Sequence, residues 1–183
     1  MSNINLYRKE EAIRPEGALS FVIVSFTQED IYYKVKETIK KTFSEILFES
    51  IQMTPWVPTP AEIGFSAQGN KARILAFKRR INREELPEIK QKCIQITNSF
   101  SKLDSSVKII PGYQTLFNTI VASVTDDFHK LYLFHGIYAE VVYKYESRQL
   151  IPTDTAPQFF VNKDTIYYFS NLREYFNQSN QIK

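Results

Sequence analysis

Glycine, cysteine and histidine are all scarce in this chain of 183 residues, which has 5 Gly, one Cys and 2 His. A Walker-type phosphate site needs a glycine-rich turn followed by Lys-Ser or Lys-Thr, because backbone donors must surround the anion, and no such segment occurs. Too few glycines remain for the Gly-x-Gly-x-x-Gly turn of dinucleotide folds, so any phosphate would have to be held by side chains such as Arg79 and Arg80. P-loop chemistry is thereby excluded. The lone Cys93 permits no intrachain disulfide, and the N-terminal stretch lacks the apolar core of a secretion signal, so the expected location is cytoplasmic. No apolar run approaches the roughly 20 residues that span a bilayer, and no membrane partner is expected. His129 and His135 match no dedicated zinc spacing, even with Asp126, Asp127 and Glu140 nearby. No metal and no cofactor are expected.

What the chain does have is an ordinary globular balance, 43% hydrophobic and 23% charged, with an aromatic share of 14% made largely of 14 Phe and 11 Tyr. That richness predicts aromatic side chains at a surface site as well as in the core. A net charge of +3 gives too weak a field to argue for nucleic acid or an anionic membrane. The length suits one domain over 1–183, with a polar arm over 1–18, a core over 20–160 and an extension over 161–183 whose last residues are disordered.

Residues 20–26 (SFVIVSF) form a nearly continuous apolar run, which predicts a central strand covered on both faces. Thr27 offers an N-cap with Asp30 three residues on, and Ile31, Val35, Ile39 and Phe43 recur at helical spacing. A strand over 46–53 closes a first strand-helix-strand unit. The pattern repeats with a strand over 73–79, a helix over 83–100 and an extended segment over 107–110. Pro87 cannot sit in a helix interior without loss, so the regular helix is expected to begin near it. Cys93 lies on that helix's buried stripe and reads as a small core hydrophobe. Residues 116–124 fit either period, and the strand is favoured because 130–134 and 137–145 are alternating and β-branched or aromatic. Gly136 marks the turn between the last two segments. The predicted fold is α+β: a ferredoxin-like βαββαβ sandwich whose antiparallel sheet is extended by a three-strand C-terminal β-meander, with a short helix over 168–176.

Lys71, Arg73, Lys78, Arg79, Arg80 and Arg83 place six cations within thirteen residues. Such a cluster suits a small anionic ligand. Nucleic acid is a less favoured partner, because Glu84 and Glu85 follow at once and the octamer motif of ferredoxin-like RNA binders is missing. The loop over 54–70, stiffened by Pro55, Pro58 and Pro60 around Trp56, is long enough for a lid or docking surface. Ser123, His129 and Asp126 lie close in sequence but lack the glycines of a nucleophile elbow.

The segments Pro111-Gly112-Tyr113, Lys130 to Leu133, Gly136 to Glu140 and Arg83 to Lys90 (REELPEIK) together resemble a bacterial family, domain of unknown function 4416. The resemblance implies that Glu62-Ile63-Gly64 matches that family's Glu-Met-Gly, and that Pro111, Gly112 and Tyr113 keep its Asp-Pro-Gly-Tyr, here with Ile110 for Asp and Lys108 for the earlier Asn. Thr125-Asp126 and His129-Lys130 stand for Lys-Asp and His-Arg, and 155–159 for Thr-Tyr-Pro-Asp-Tyr. Shape-bearing residues are kept, and several groups able to do acid-base work are replaced.

The favoured reading is a non-catalytic module that binds a small anionic ligand or a protein partner, with no catalytic residue assigned. Its candidate contacts are Glu62, Gly64, Tyr113, His129, Lys130, Tyr138 and Glu140, with Arg79 or Arg80 as anion anchor. The alternative is an enzyme acting on a phosphorylated or nucleotide-like small molecule, with Glu140 or His129 as base and Lys130 or Arg80 stabilising charge. An RNA-binding accessory role is a second alternative. Strand alternation groups Glu140 with Tyr138, Val142 and Lys144, opposite Ile137, Ala139 and Val141. Glu140 is then expected either as a surface partner of Lys144 or as a buried contact to Tyr113 or an arginine.

Overall fold

The computed structural model describes residues 12–54 and 69–181. The apolar run becomes strand β1 (Ala18–Phe26), and all nine of its residues are buried. A strand apolar on both sides of its pleat needs cover on both faces. Val22, Val24 and Phe26 join a core shared with helices α1 (Glu29–Thr42) and α2 (Leu86–Phe100). Leu19, Phe21 and Ile23 join a second core shared with α3 (Gln158–Val161) and α4 (Lys163–Gln181). The sheet is therefore sandwiched between two layers of helix.

The other strands are β2 (Ile46–Glu49), β3 (Lys71–Ile81), β4 (Lys108–Gln114), β5 (Asn118–Ser123), β6 (Leu131–Phe134), β7 (Ile137–Glu146) and β8 (Gln149–Pro152). They form one eight-stranded sheet in the order β2-β3-β1-β4-β5-β7-β6, with β8 also on β7. Every ladder is antiparallel. The architecture is α+β, with this sheet and four α-helices among the described residues.

The expected three-strand meander is corrected. The chain does not pass from β5 to a neighbouring β6; β5 pairs with β7, and β6 lies outside it. The reason lies in length and turns. β7 spans ten residues and is entered and left by two-residue turns, His135-Gly136 (φ 49 and 73) and Ser147-Arg148 (φ 50 and 66). Both have the left-handed pairs of tight hairpins. β6 and β8 thus fold back on opposite ends of the same edge of β7, leaving its other edge to β5.

Local signals worked unevenly. Pro87 lies in the first turn of α2, behind a 3-10 turn at Arg83–Glu85 that is closed by a capping box from Asn82 and Glu85. At α1, by contrast, the expected Thr27–Asp30 cap does not form. Gln28 is the N-cap without a side-chain bond, and the distant Asp104 accepts from the backbone N–H of Thr27 and of Gln28, each at 3.2 Å. α4 is also longer than the expected 168–176. It continues to Gln181, and the guanidinium of Arg80 holds its end by donating to Asn180 and to Ser179 while lying 4.6 Å from the Phe176 ring. The polar arm up to residue 11 lies outside the described residues, as do Trp56, Glu62 and Gly64 of the long loop.

Candidate functional site

Glu140 is a deeply placed acid. It occupies the middle of β7 at 3% exposure and pairs in register with Val121, so both side chains share the face beneath α3 and α4. The alternation from Tyr138 to Val142 holds, then breaks at a register shift opposite Thr119 and Ile120, after which Tyr143 too joins the core. An outer face for Glu140 does not exist. Lys144 pairs instead with Glu146 at 2.6 Å, which removes the surface-partner alternative.

Among the described residues Glu140 meets His129. The β5–β6 connection brings His129 Nε2 to 3.3 Å from Glu140 Oε1 and Nδ1 to 3.8 Å from Asp127 Oδ2. An imidazole between two carboxylates can hold a proton or orient one. His135 sits apart in the β6–β7 turn, its ring 3.8 Å from that of Phe134, so the two histidines do not share a strand face. Among the described residues no group of three or more His, Cys, Asp or Glu is placed to hold a metal ion.

The remaining candidates are scattered. Tyr113 belongs to the core under α1 and α2, the opposite face from Glu140, and burial pushes its hydroxyl pKa up. Tyr138 packs edge-on against Tyr132 at 5.3 Å. Lys130 donates to Thr125 Oγ1 at 3.0 Å. Arg79 is bound to Glu85, and Arg80 to the end of α4. The buried contact of Glu140 to Tyr113 or to these arginines is therefore not formed. Cys93 is fully buried and burial pushes its thiol up to about 12, which leaves it a core residue without thiolate character.

The basic cluster is divided by the pleat of β3 and largely neutralised. Lys71 and Arg73 share the α1 face with Leu75 and Phe77, whereas Arg80 turns to α4. Arg73 donates to Glu49 at 3.0 Å and Lys71 to Glu29 at 3.2 Å. Glu49 also accepts from Tyr32 at 2.6 Å and from Lys36. Burial pushes the Glu49 carboxyl up, but the bonds from Lys36, Tyr32 and Arg73 outweigh it and hold it below the usual range. Burial and the bond to Glu49 both raise the Tyr32 hydroxyl. Sequence reasoning missed Glu29, Glu49, Tyr32 and Lys36. The usable signal was the i, i+4 spacing of Tyr32 and Lys36 on the helix facing β2.

Among the clefts between described elements, two lie toward the two ends of the sheet. One, of about 270 Å³, is mainly apolar and lies between the β2 region and α4, with Phe48, Met53, Tyr167 and Leu172 on its walls. The other, of about 470 Å³, runs between Arg83, Glu84 and Pro87 at the start of α2 and Tyr132 to Phe134 of β6. Neither is lined by Glu140 or His129. No described helix is long and apolar enough to cross a membrane.

A family model described as Domain of unknown function (DUF4416) matches residues 16–176. No curated protein and no solved structure matches the chain.

Proposed function

We propose that this chain, a member of the DUF4416 family, is a non-catalytic cytoplasmic module that binds a protein partner and is built around a ferredoxin-like unit. The element order β1-α1-β2-β3-α2-β4 with strand order β2-β3-β1-β4 supports that unit, onto which β5 to β8, α3 and α4 are added. One observation carries the functional reading. The groups that would do chemistry are mostly engaged with one another or split between faces, while β6 exposes all four of its side chains.

A small anionic ligand is the weaker form of the same reading, because Arg79 and Arg80 already have partners. The contact between His129 and Glu140 favours the enzyme alternative, with Glu140 as base acting through His129. The reading is tested with purified protein against a panel of nucleoside phosphates and sugar phosphates. It expects no turnover and an unchanged melting temperature for most of the panel. Turnover that disappears in His129→Gln with folding intact would overturn it in favour of the enzyme.

A further inference from the structure

Edge strands are normally protected by charge, proline, a bulge or a covering element, because their free N–H and C=O groups template pairing with another chain. Both end strands, β2 and β6, carry a register shift against their neighbours, and the two ends differ in charge and cover. At β2, the carbonyl of Phe48 accepts from the Tyr168 hydroxyl of α4 at 3.2 Å, and the Phe48 ring meets Tyr175 at 5.3 Å. At the other end, β6 reads Leu131-Tyr132-Leu133-Phe134, with exposures of 68%, 62%, 37% and 58%, and no charged residue or proline within it. Only β7 pairs with it among the described strands. Phe128, 90% exposed, stands in the connection just before it.

We infer that β6 is an interface between two copies of this chain, in which the β6 edges pair antiparallel about a two-fold axis and join the two sheets. This rests on the partner-binding reading above and names the partner. The choice of a second copy follows from self-complementarity. An isologous contact sets each patch against itself, so that with Leu133 opposite its own copy Tyr132, Leu133 and Phe134 each meet an apolar or aromatic side chain. The adjoining start of α2 presents Arg83, Glu84 and Glu88, the last paired with Lys92 at 3.0 Å, so the approach of a copy meets charges of both signs rather than a block of one. Area agrees with this. The exposed parts of the five side chains amount to about 600 Å² per copy, which sets an upper limit of about 1,200 Å² for the pair, the lower end of specific interfaces.

The experiment is sedimentation velocity on the full chain across about three decades of concentration, for the parent and for Leu131→Lys and Tyr132→Lys, each checked for an unchanged melting transition. The parent is expected to pass from 21.4 kDa to twice that mass, with the midpoint shifted at least about tenfold higher in each lysine variant. Leu133→Cys should give a disulfide-linked dimer under mild oxidation, since Cys93 is buried and cannot substitute for it. A parent that stays monomeric throughout, or lysine variants that dimerise like the parent, overturns the inference. A monomer without turnover sinks the second-copy partner alone, whereas turnover by a β6-linked dimer sinks the non-catalytic reading alone.

Discussion

The ring of Phe21 occupies the space that a side chain at Gly112 would need. The two residues are register partners on β1 and β4, and a Cβ added to Gly112 would lie 2.4 Å from Phe21 Cζ and 2.3 Å from the carbonyl oxygen of Ile120. The glycine of the Pro111-Gly112-Tyr113 segment therefore keeps a central strand thin so that an aromatic can lie across it. Phe21 goes on to meet Phe169 of α4 edge-to-face at 4.8 Å, so the glycine also sets how closely the helix layer packs. Gly112→Ala is expected to cost about 1–3 kcal/mol or more, read from urea unfolding. Adding Phe21→Leu should recover only part of this, because the backbone oxygen of Ile120 stays in the way. Full recovery, or no loss at all, would show that the close approach is not what fixes this residue.

Asp104 gives a second prediction, with a pH signature. Its carboxylate accepts the two exposed N–H groups at the start of α1 and bonds Ser106, linking the α2–β4 connection to the helix N-terminus. Burial alone would raise its pKa, and the bonds from Ser106, Gln28 and Thr27 overcome this and lower it. A group depressed in the folded state stabilises fully above its unfolded pKa, near about 3.9, and loses that contribution as the pH falls through the folded value. Asp104→Ala should cost about 0.5–2 kcal/mol at neutral pH. The gap to the parent should close only well below about pH 4. A gap that is the same in acid would assign the loss to packing.

How far the sequence could be read depended on how local the determinant was. The centrality of β1 was legible because an apolar run on both sides of a pleat admits no exposed face, and the start of α2 was legible because Pro87 has no N–H to give. The strand at β5 was legible only through its neighbours, the alternating, β-branched and aromatic segments that follow it. The cap of α1 was not, because its carboxylate comes from a residue 76 positions away from Gln28. The end of α4 read as disordered from its Asn, Gln and Ser residues, yet Arg80 on β3 supplies the bonds that hold it. The order of β6 and β7 was hidden for a similar reason, since two hairpin turns say which strands are consecutive and not which edge is left for β5. Of the candidate site, only the neighbourhood of His129 and Glu140 emerged, because alternation assigns a face within one strand and says little about which loop comes over it.

Glu140 itself is a direct test of the site. Glu140→Gln keeps shape and removes the charge facing His129, so the fold should persist with a modest change in melting temperature. If ligand binding depends on this pair, any compound that raises the melting temperature of the parent should fail to do so in the variant, as measured by differential scanning fluorimetry. Equal shifts in both proteins would make Glu140 part of the scaffold and move the site elsewhere.

Lys90 yields the last prediction, since it is the one lysine of α2 placed in the interior. It is 7% exposed, packed on the same helix as the buried Cys93, and burial pulls its pKa down to about 8, helped by the nearby charge of Lys108 and opposed by Cys93. None of the ion pairs formed by the described residues involves it. Its folded pKa lies below the unfolded value, so the unfolded chain binds more protons between the two and stability must rise with pH across that interval. Below about pH 8 both states carry the charge and the folded state bears the full desolvation penalty; above the unfolded value near 10.5 both are neutral and the penalty is gone. Lys90→Met fills the same space without a charge and should be more stable than the parent by about 1–3 kcal/mol at neutral pH. In urea titrations from neutral pH to about pH 10, that advantage should shrink steadily as the parent gains stability and the variant does not. An advantage independent of pH would mean that the amine reaches water in the folded protein and that Lys90 stabilises through its stem alone.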